Sequence, residues 1–238
     1  VEAIQRGEAK SVIALGTDGS VQPEAVIRFS LLSALSSRNE DPTKASRPFE
    51  KSRDGFVMSE GAAALILEDL EHARARGATI IGLVSGCGER ADNFHRTRSN
   101  PDGSSIIGAM KNALADAGLQ PADIGYVNAH GTSTPENDKM EALGLRAVFG
   151  EAPPPISSNK SMIGHTLSAA GAIEAAFSLL TLRDQILPPT INHVEPDPTL
   201  GLDVVPNEAR RVSGLRHVLS NSFGFGGQNV CLVLSAAP

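Results

Sequence analysis

The segment Thr166–Leu182 (TLSAAGAIEAAFSLLTL) is apolar on nearly every side and carries a single charged residue, Glu174. A helix with no polar face has nothing to turn toward water, so this one must be buried on several sides, between layers of structure. Its small residues, Ser168, Ala169, Ala170, Gly171, Ala172, Ala175 and Ala176, let neighbouring backbones approach closely. Glu174 then needs a cationic or hydrogen-bonding partner, because an unpaired carboxylate in such a place is too costly.

Around this helix, strand and helix patterns alternate. Lys10–Gly16, Ala62–Glu68, Thr79–Val84 and Ile124–Ala129 are short apolar runs that read as buried strands. Asp69–Gly77, Ser104–Gly118 and Glu136–Phe149 read as helices, each closed by a glycine. Pro153, Pro154 and Pro155 allow no helix to continue past Gly150. Ser20–Gly61, with Pro23, Pro42, Pro48 and many charges, reads as an irregular excursion outside the core. Successive strand–helix units predict an α/β fold with a largely parallel sheet.

Composition narrows the function classes. With 41% hydrophobic residues and 21 basic against 27 acidic side chains, the chain can build a core. No apolar run is long enough to span a membrane, and the charged start Val1–Lys10 is not a signal peptide. A net charge of −6 with one Tyr and no Trp argues against nucleic acid as a partner. Two cysteines, Cys87 and Cys231, fit a reducing, cytoplasmic setting. They lack a CxxC spacing, and neither His130 nor His165 has a helical histidine partner, so no metal site is expected.

Three segments could carry chemistry. In Asn128–Pro135 (NAHGTSTP), His130 ends a strand and the hydroxyls of Thr132, Ser133 and Thr134 precede a helix. Strand ends are where α/β proteins place their sites, although Thr134 could equally cap the helix and His130 be a satisfied core imidazole. In Ser157–His165 (SSNKSMIGH), Lys160 either pairs with a carboxylate, Glu174 being the one to test, is used chemically, or sits in solvent. His217–Leu234 (HVLSNSFGFGGQNVCLVL) is followed by a strand, so it is not a phosphate loop. It reads as a hairpin, or as a turn whose backbone N–H groups face a reacting carbonyl with Phe225 beside it.

Taken in order, NAHGTSTP, NKSMIGH and NSFGFGG resemble the β-ketoacyl-acyl-carrier-protein synthases, and among them the elongating type II enzymes of fatty acid synthesis. ALSSRN, ASRPFEKSRDGFVMSEGAA and LPPTIN extend the resemblance from about Gly7 to the end. It implies a thiolase-like fold, α-β-α-β-α in layers, as a homodimer. Residues 1–77 would be the end of the N-terminal half with its insertion, and 78–238 the C-terminal half.

The resemblance also implies a mechanism: acyl loading on a cysteine, decarboxylation of a malonyl thioester, and attack of the carbanion on the acyl group. His130 and His165 match the two histidines that donate to the thioester oxygen, Lys160 the lysine that keeps them neutral, and Glu174 that lysine's carboxylate. Phe225 matches the gating phenylalanine of the oxyanion hole. Thr132 and Thr134 match the pantetheine-binding threonines and Phe29 a residue of the acyl pocket; Phe223 and Thr97 join them as substrate-binding candidates. Asp138, Glu141 and Asn221 are candidates for the supporting shell. No cofactor is implied, the substrates being carried on the phosphopantetheine of acyl carrier protein, the implied partner.

The matching position of the nucleophilic cysteine falls before Val1, and neither Cys87 nor Cys231 stands in for it, so the chain alone is expected to be inactive in condensation. Leu15–Asp18, Asn137 and Gln228 depart from the residues usual in the family. Two other readings are a non-catalytic partner subunit like the chain-length factors of polyketide synthases, and a thiolase. Retention of His130, Lys160 and His165 speaks against the first, and HGTSTP with FGFGG against the second.

Overall fold

A computed structural model describes residues 1–238. In chain order its elements are α1 (Glu2–Gln5), β1 (Ser11–Asp18), α2 (Pro23–Ser30), β2 (Gly61–Glu68), α3 (Leu70–Ala75), β3 (Gly82–Ala91), α4 (Ser104–Ala117) and β4 (Tyr126–Asn128). There follow α5 (Pro135–Phe149), β5 (Ile156–Ser157), α6 (Lys160–Ile163), α7 (Ala170–Asp184), β6 (Ile186–Leu187), β7 (Arg210–Arg211), β8 (His217–Gly224) and β9 (Gln228–Ala236).

The fold is α/β, but the sheet is mixed rather than largely parallel. Its order is β3-β9-β8-β4-β5, with β3, β9 and β8 antiparallel and β8, β4 and β5 parallel. The glycine turn between β8 and β9 closes a hairpin, and a hairpin can only return antiparallel. A separate antiparallel pair, β1-β2, runs from Ser11↔Glu68 to Asp18↔Gly61.

Helix α7 lies between these two sheets, as its apolar sequence requires. On one side a Cβ at Gly16 would meet Ala172 Cβ at 2.8 Å, and one at Gly61 would meet Ile173 at 3.0 Å. On the other, Ala175 and Leu182 share a core with Val218 and Leu234 of β8 and β9. The helix begins later than the sequence pattern suggests. Leu167 adopts φ +45°, and Leu167–Ala169 form a 3-10 turn before the α-helix starts at Ala170.

On the opposite face of the five-stranded sheet, α4 and α5 pack over Val127, Leu219, Cys231 and Val233. α4 sits directly on Gly86 and Gly88, where a Cβ would reach within 2.3 and 2.1 Å of its carbonyl oxygens. Strand β3 therefore runs on through these glycines to Ala91, beyond the apolar run that marks it in the sequence. It starts at Gly82 rather than Thr79 because its partner ends at Ala236.

The excursion between β1 and β2 is not outside the core. It contains α2, and Phe49 and Phe56 are buried, Phe49 within the main core. No helix is long and apolar enough to cross a membrane.

Candidate active site

Two carboxylates one turn apart on α5 shape the turn that carries His130. Glu141 accepts the backbone N–H groups of His130 (2.9 Å) and Gly131 (2.8 Å), and Asn221 Nδ2 donates to it at 3.0 Å. Asp138 accepts the N–H of Ser133 (3.3 Å) and of Phe49 (2.8 Å), with Arg53 Nε 3.5 Å away. Burial pushes both carboxyls above the ordinary range while these donors oppose it. Gly131 and Ser133 are left-handed, at φ +37° and +71°. A side chain at 131 would meet Ser158 Cβ at 2.6 Å, so glycine is required there. Thr134 caps α5 by accepting the Asn137 N–H at 3.2 Å, as its place before the helix suggests.

Behind His130 the ammonium of Lys160, 1% exposed, pairs with Glu174 of α7 and donates to the His130 carbonyl at 2.6 Å. Its Nζ also lies 3.4 Å from His130 Nδ1. The side chain does not line the cavity described below; it reaches the site through His130. Burial pushes the Glu174 carboxyl up, to about 7, against the pull of the ammonium.

His165 is held by its backbone, donating to Val57 O at 2.7 Å and accepting from Ser59 N at 3.0 Å. Its Nδ1 accepts the N–H of Leu167 at 3.2 Å, a contact made by that residue's left-handed turn. An imidazole that accepts at Nδ1 carries its proton on Nε2. An ammonium beside His130 Nδ1 selects the same tautomer there. Burial first, and then Lys160, lower both imidazoles, His130 far below its usual value and His165 to about 3. Both are neutral N–H donors at physiological pH.

The two rings are 5.4 Å apart, with Phe223 against His130 at 5.6 Å and Phe56 against His165 at 5.1 Å. They line a cavity of about 940 Å³. Thr132, Thr134, Thr97, Phe29, Phe223 and Phe225 line it as well, whereas Glu174, Asp138, Glu141 and Asn221 lie behind the lining. Phe225 is 46% exposed at the tip of the β8–β9 turn. Only part of that turn can face a substrate, because Gly226 N–H donates to Arg96 O at 2.7 Å and Gly227 N–H to Gly224 O at 3.1 Å. The Phe225 N–H alone is left without a partner in the chain.

Neither cysteine reaches this cavity. Cys231 is buried in the core, which holds its thiol well above the usual pKa; Cys87, half-buried on β3, is raised by burial and by nearby Glu89 and Asp116. No three His, Cys, Asp or Glu side chains converge as a metal site.

Three contributors are not assigned from sequence. Phe56 stands between Phe29 and His165, Asp92 anchors the Asp92–Asn100 loop, and Arg53 ties the excursion to Asp197 at 2.8 Å. Phe56 and Arg53 lie in the matching stretch SRDGF, which is the signal that marks them.

Residues 1–73 match the family description "Beta-ketoacyl synthase, N-terminal domain", and residues 81–194 match "Beta-ketoacyl synthase, C-terminal domain". The chain is 48% identical over 234 residues to 3-oxoacyl-[acyl-carrier-protein] synthase 2 of Coxiella burnetii, covering 98% of this chain and 56% of that protein. A solved type II PKS acyl-carrier protein in complex with its ketosynthase, bound to the hexaketide, is similar at TM-score 0.96 and 38% identity, over 100% of this chain and 59% of that one. The ishigamide ketosynthase/chain length factor is similar at TM-score 0.92 and 39% identity, over 100% of this chain and 56% of that one. The chain thus spans little more than half the length of the relatives it matches. Its thiolase-like ketosynthase fold and both family matches say the same thing: this chain belongs to the beta-ketoacyl synthase family.

Proposed function

We propose that this chain supplies the decarboxylating and oxyanion-stabilising part of a β-ketoacyl synthase acting on thioesters of acyl carrier protein in fatty acid elongation. The observation that carries it is the pair of neutral imidazoles, His130 buried and His165 half-buried, that line one cavity with their Nδ1 atoms engaged elsewhere, and a buried ammonium behind His130. As a malonyl thioester loses CO2, negative charge grows on the thioester oxygen, and preorganised N–H donors in a site shielded from water stabilise it. The carbanion then attacks the carbonyl carbon of an acyl thioester whose oxygen receives the Phe225 N–H, and the tetrahedral adduct collapses by breaking the C–S bond and releasing the thiolate. Thr132 and Thr134 hold the pantetheine arm, with Thr97 and Phe223 along its path, and Phe29 lines the acyl end. Lys160 acts through His130, and Glu174, Asp138, Glu141 and Asn221 fix the donors in place.

Neither Cys87 nor Cys231 lines the cavity, and condensation through an acyl-enzyme needs a thiolate there, so residues 1–238 taken alone are read as inactive in condensation. Residues 1–77 and 78–238 belong to the two thiolase-like halves, and the working enzyme is a homodimer. In the protein extended to the length of its relatives, His165→Ala is expected to abolish malonyl decarboxylation with the fold intact by circular dichroism; full decarboxylation in that variant would reject the role.

A second reading, a chain-length-factor-like partner subunit, is favoured by the similarity to the ishigamide ketosynthase/chain length factor. A non-catalytic partner has no use for decarboxylation donors, and the intact His130, Lys160 and His165 arrangement supports the catalytic reading over it.

A further inference from the structure

Strand β1 puts one carboxylate behind the turn that serves His165. Side chains alternate along a strand, and Gly16 and Asp18 share the face of β1 that meets α7, while Ile13 and Leu15 face away and are exposed. Gly16 brings the two backbones together, since a Cβ there would lie 3.3 Å from Ala169 Cα. Two residues on, Asp18 Oδ2 accepts the Ser168 N–H at 3.2 Å. Its Oδ1 accepts the Ser20 N–H at 3.1 Å and the Ser20 hydroxyl, which fixes the carboxylate's rotation. The Ser20 hydroxyl holds this carboxyl below its ordinary range, with burial opposing and the Ser168 N–H adding to the effect, so it is ionised at physiological pH. Asp18 itself does not line the cavity, whereas Leu167 and Ser168 do.

The turn needs such a hold. Leu167 stands at φ +45°, a left-handed conformation that an L side chain keeps only when its surroundings impose it. Thr166 leads into the turn without a side-chain cap, and the N–H groups that open a helical stretch have no partner within it. Two side chains outside the helix take them instead. His165 Nδ1 accepts the Leu167 N–H, and Asp18 Oδ2 accepts the next one, from Ser168. A turn free to return to a right-handed backbone would carry the Leu167 N–H away from the imidazole. Either ring nitrogen could then hold the proton. The charge of Asp18 works the other way on His165, pulling its pKa up against burial and Lys160, so what Asp18 contributes is position rather than field.

We infer that Asp18 is a positioning residue: by holding the Ser168 N–H it keeps Leu167 left-handed, so that the Leu167 N–H stays on His165 Nδ1 and the imidazole proton stays on Nε2. The use of that proton rests on the proposed function, in which it is donated to the thioester oxygen; the link from Asp18 to the tautomer stands apart from it. Leu15–Asp18 is a stretch where the chain departs from the residues usual in its family, so the resemblance gives Asp18 no role.

The test isotope-labels the histidine rings of the chain and reads the His165 nitrogens by NMR, with hydrogen exchange at Leu167 and Ser168 beside it. The unsubstituted chain is expected to show two well-separated ring nitrogens, one bare and one protonated. In Asp18→Ala they should move toward each other, and the Leu167 and Ser168 amides should exchange about tenfold faster. Asp18→Asn, which keeps an acceptor oxygen and drops the charge, should restore the separated pair. Asp69→Ala removes a comparable cap, the acceptor of the His72 N–H at 3.0 Å on α3, and should leave His165 unmoved. An unchanged His165 pattern in Asp18→Ala overturns the inference, and so does an equal change in Asp69→Ala, which would mark general loosening. An effect of Asp18→Asn as large as that of Asp18→Ala would make the charge responsible and overturns it too. If Asp18→Ala does not fold, Ser20→Ala decides: freeing the carboxylate to rotate should quicken Leu167 exchange about threefold, and no change overturns the inference. A His165 pattern that depends on Asp18 upholds it even where His165→Ala keeps full decarboxylation, an outcome that rejects the proposed function alone.

Discussion

His130 and His165 meet edge to face, their ring centroids 5.4 Å apart and their planes at 84°. They come from different turns, one at the end of β4 and the other between α6 and α7, and each has its Nδ1 occupied by a separate group. The geometry leaves Nε2–H as the outward donor on both rings. Everything proposed for the chemistry follows from that tautomer and from the neutrality that burial enforces.

Neutral burial makes stability depend on pH. His165 has a folded pKa of about 3 against an ordinary 6.5, so between these values the unfolded chain binds a proton that the folded chain refuses. Stability is therefore full above about pH 6.5 and falls as the pH drops toward 3, by up to about 1.4 kcal/mol per pH unit. His130, lowered by the same cause, adds to the slope. Urea unfolding between pH 7 and 5 is expected to show this loss and His165→Gln to flatten it; an unchanged slope in the variant would count against a neutral His165.

The Lys160–Glu174 pair lies in the interior, where removing one partner strands the other. Lys160→Met is expected to cost about 3–5 kcal/mol, while Lys160→Met with Glu174→Leu regains most of it. A double-mutant cycle by chemical denaturation measures the coupling. Additive losses would mean that the two groups do not depend on each other.

Gly131→Ala combines a left-handed backbone with a Cβ 2.6 Å from Ser158 Cβ, whereas Gly118→Ala is left-handed (φ +65°) with nothing within 4 Å. The first should therefore be the more damaging, by about 1–3 kcal/mol of added strain. It should also weaken pantetheine binding, because Thr132 follows directly. Comparable midpoints for the two variants would show that the turn accommodates a side chain.

Neither thiol belongs to the site. Cys87→Ser with Cys231→Ala should leave pantetheine binding unchanged, and Cys231 should resist alkylation until the chain unfolds. Rapid loss of both thiols in the native state would contradict the burial of Cys231.

Much of the site is legible in the sequence because it is built from contiguous motifs. Each of NAHGTSTP, NKSMIGH and NSFGFGG occupies one turn at one strand or helix end, so the residue types and spacing survive translation into space. The excursion shows the opposite case. Its prolines and charges suggest exposure, yet Arg47 N–H donates to Ser133 Oγ at 3.0 Å and Gly55 N–H to Ser133 O at 3.0 Å, pinning it against the site. Those contacts span about eighty residues, and no local pattern encodes them. Strand direction was equally hidden, since an apolar run carries periodicity but not the identity of its neighbour.

The amino-acid order alone determined the apolar helix and its need to be sandwiched, the demand of Glu174 for a cation, and the three turns bearing His130, Lys160 with His165, and Phe225. Local periodicity and residue chemistry suffice for these, because each is a property of a few consecutive side chains. Only the tertiary structure decided that Lys160 sits behind His130, that the Leu167 N–H meets His165 Nδ1, and that Arg96, Arg98 and Lys139 line one cavity. Such outcomes depend on distances between segments far apart along the chain, and those distances are set by packing the whole molecule at once.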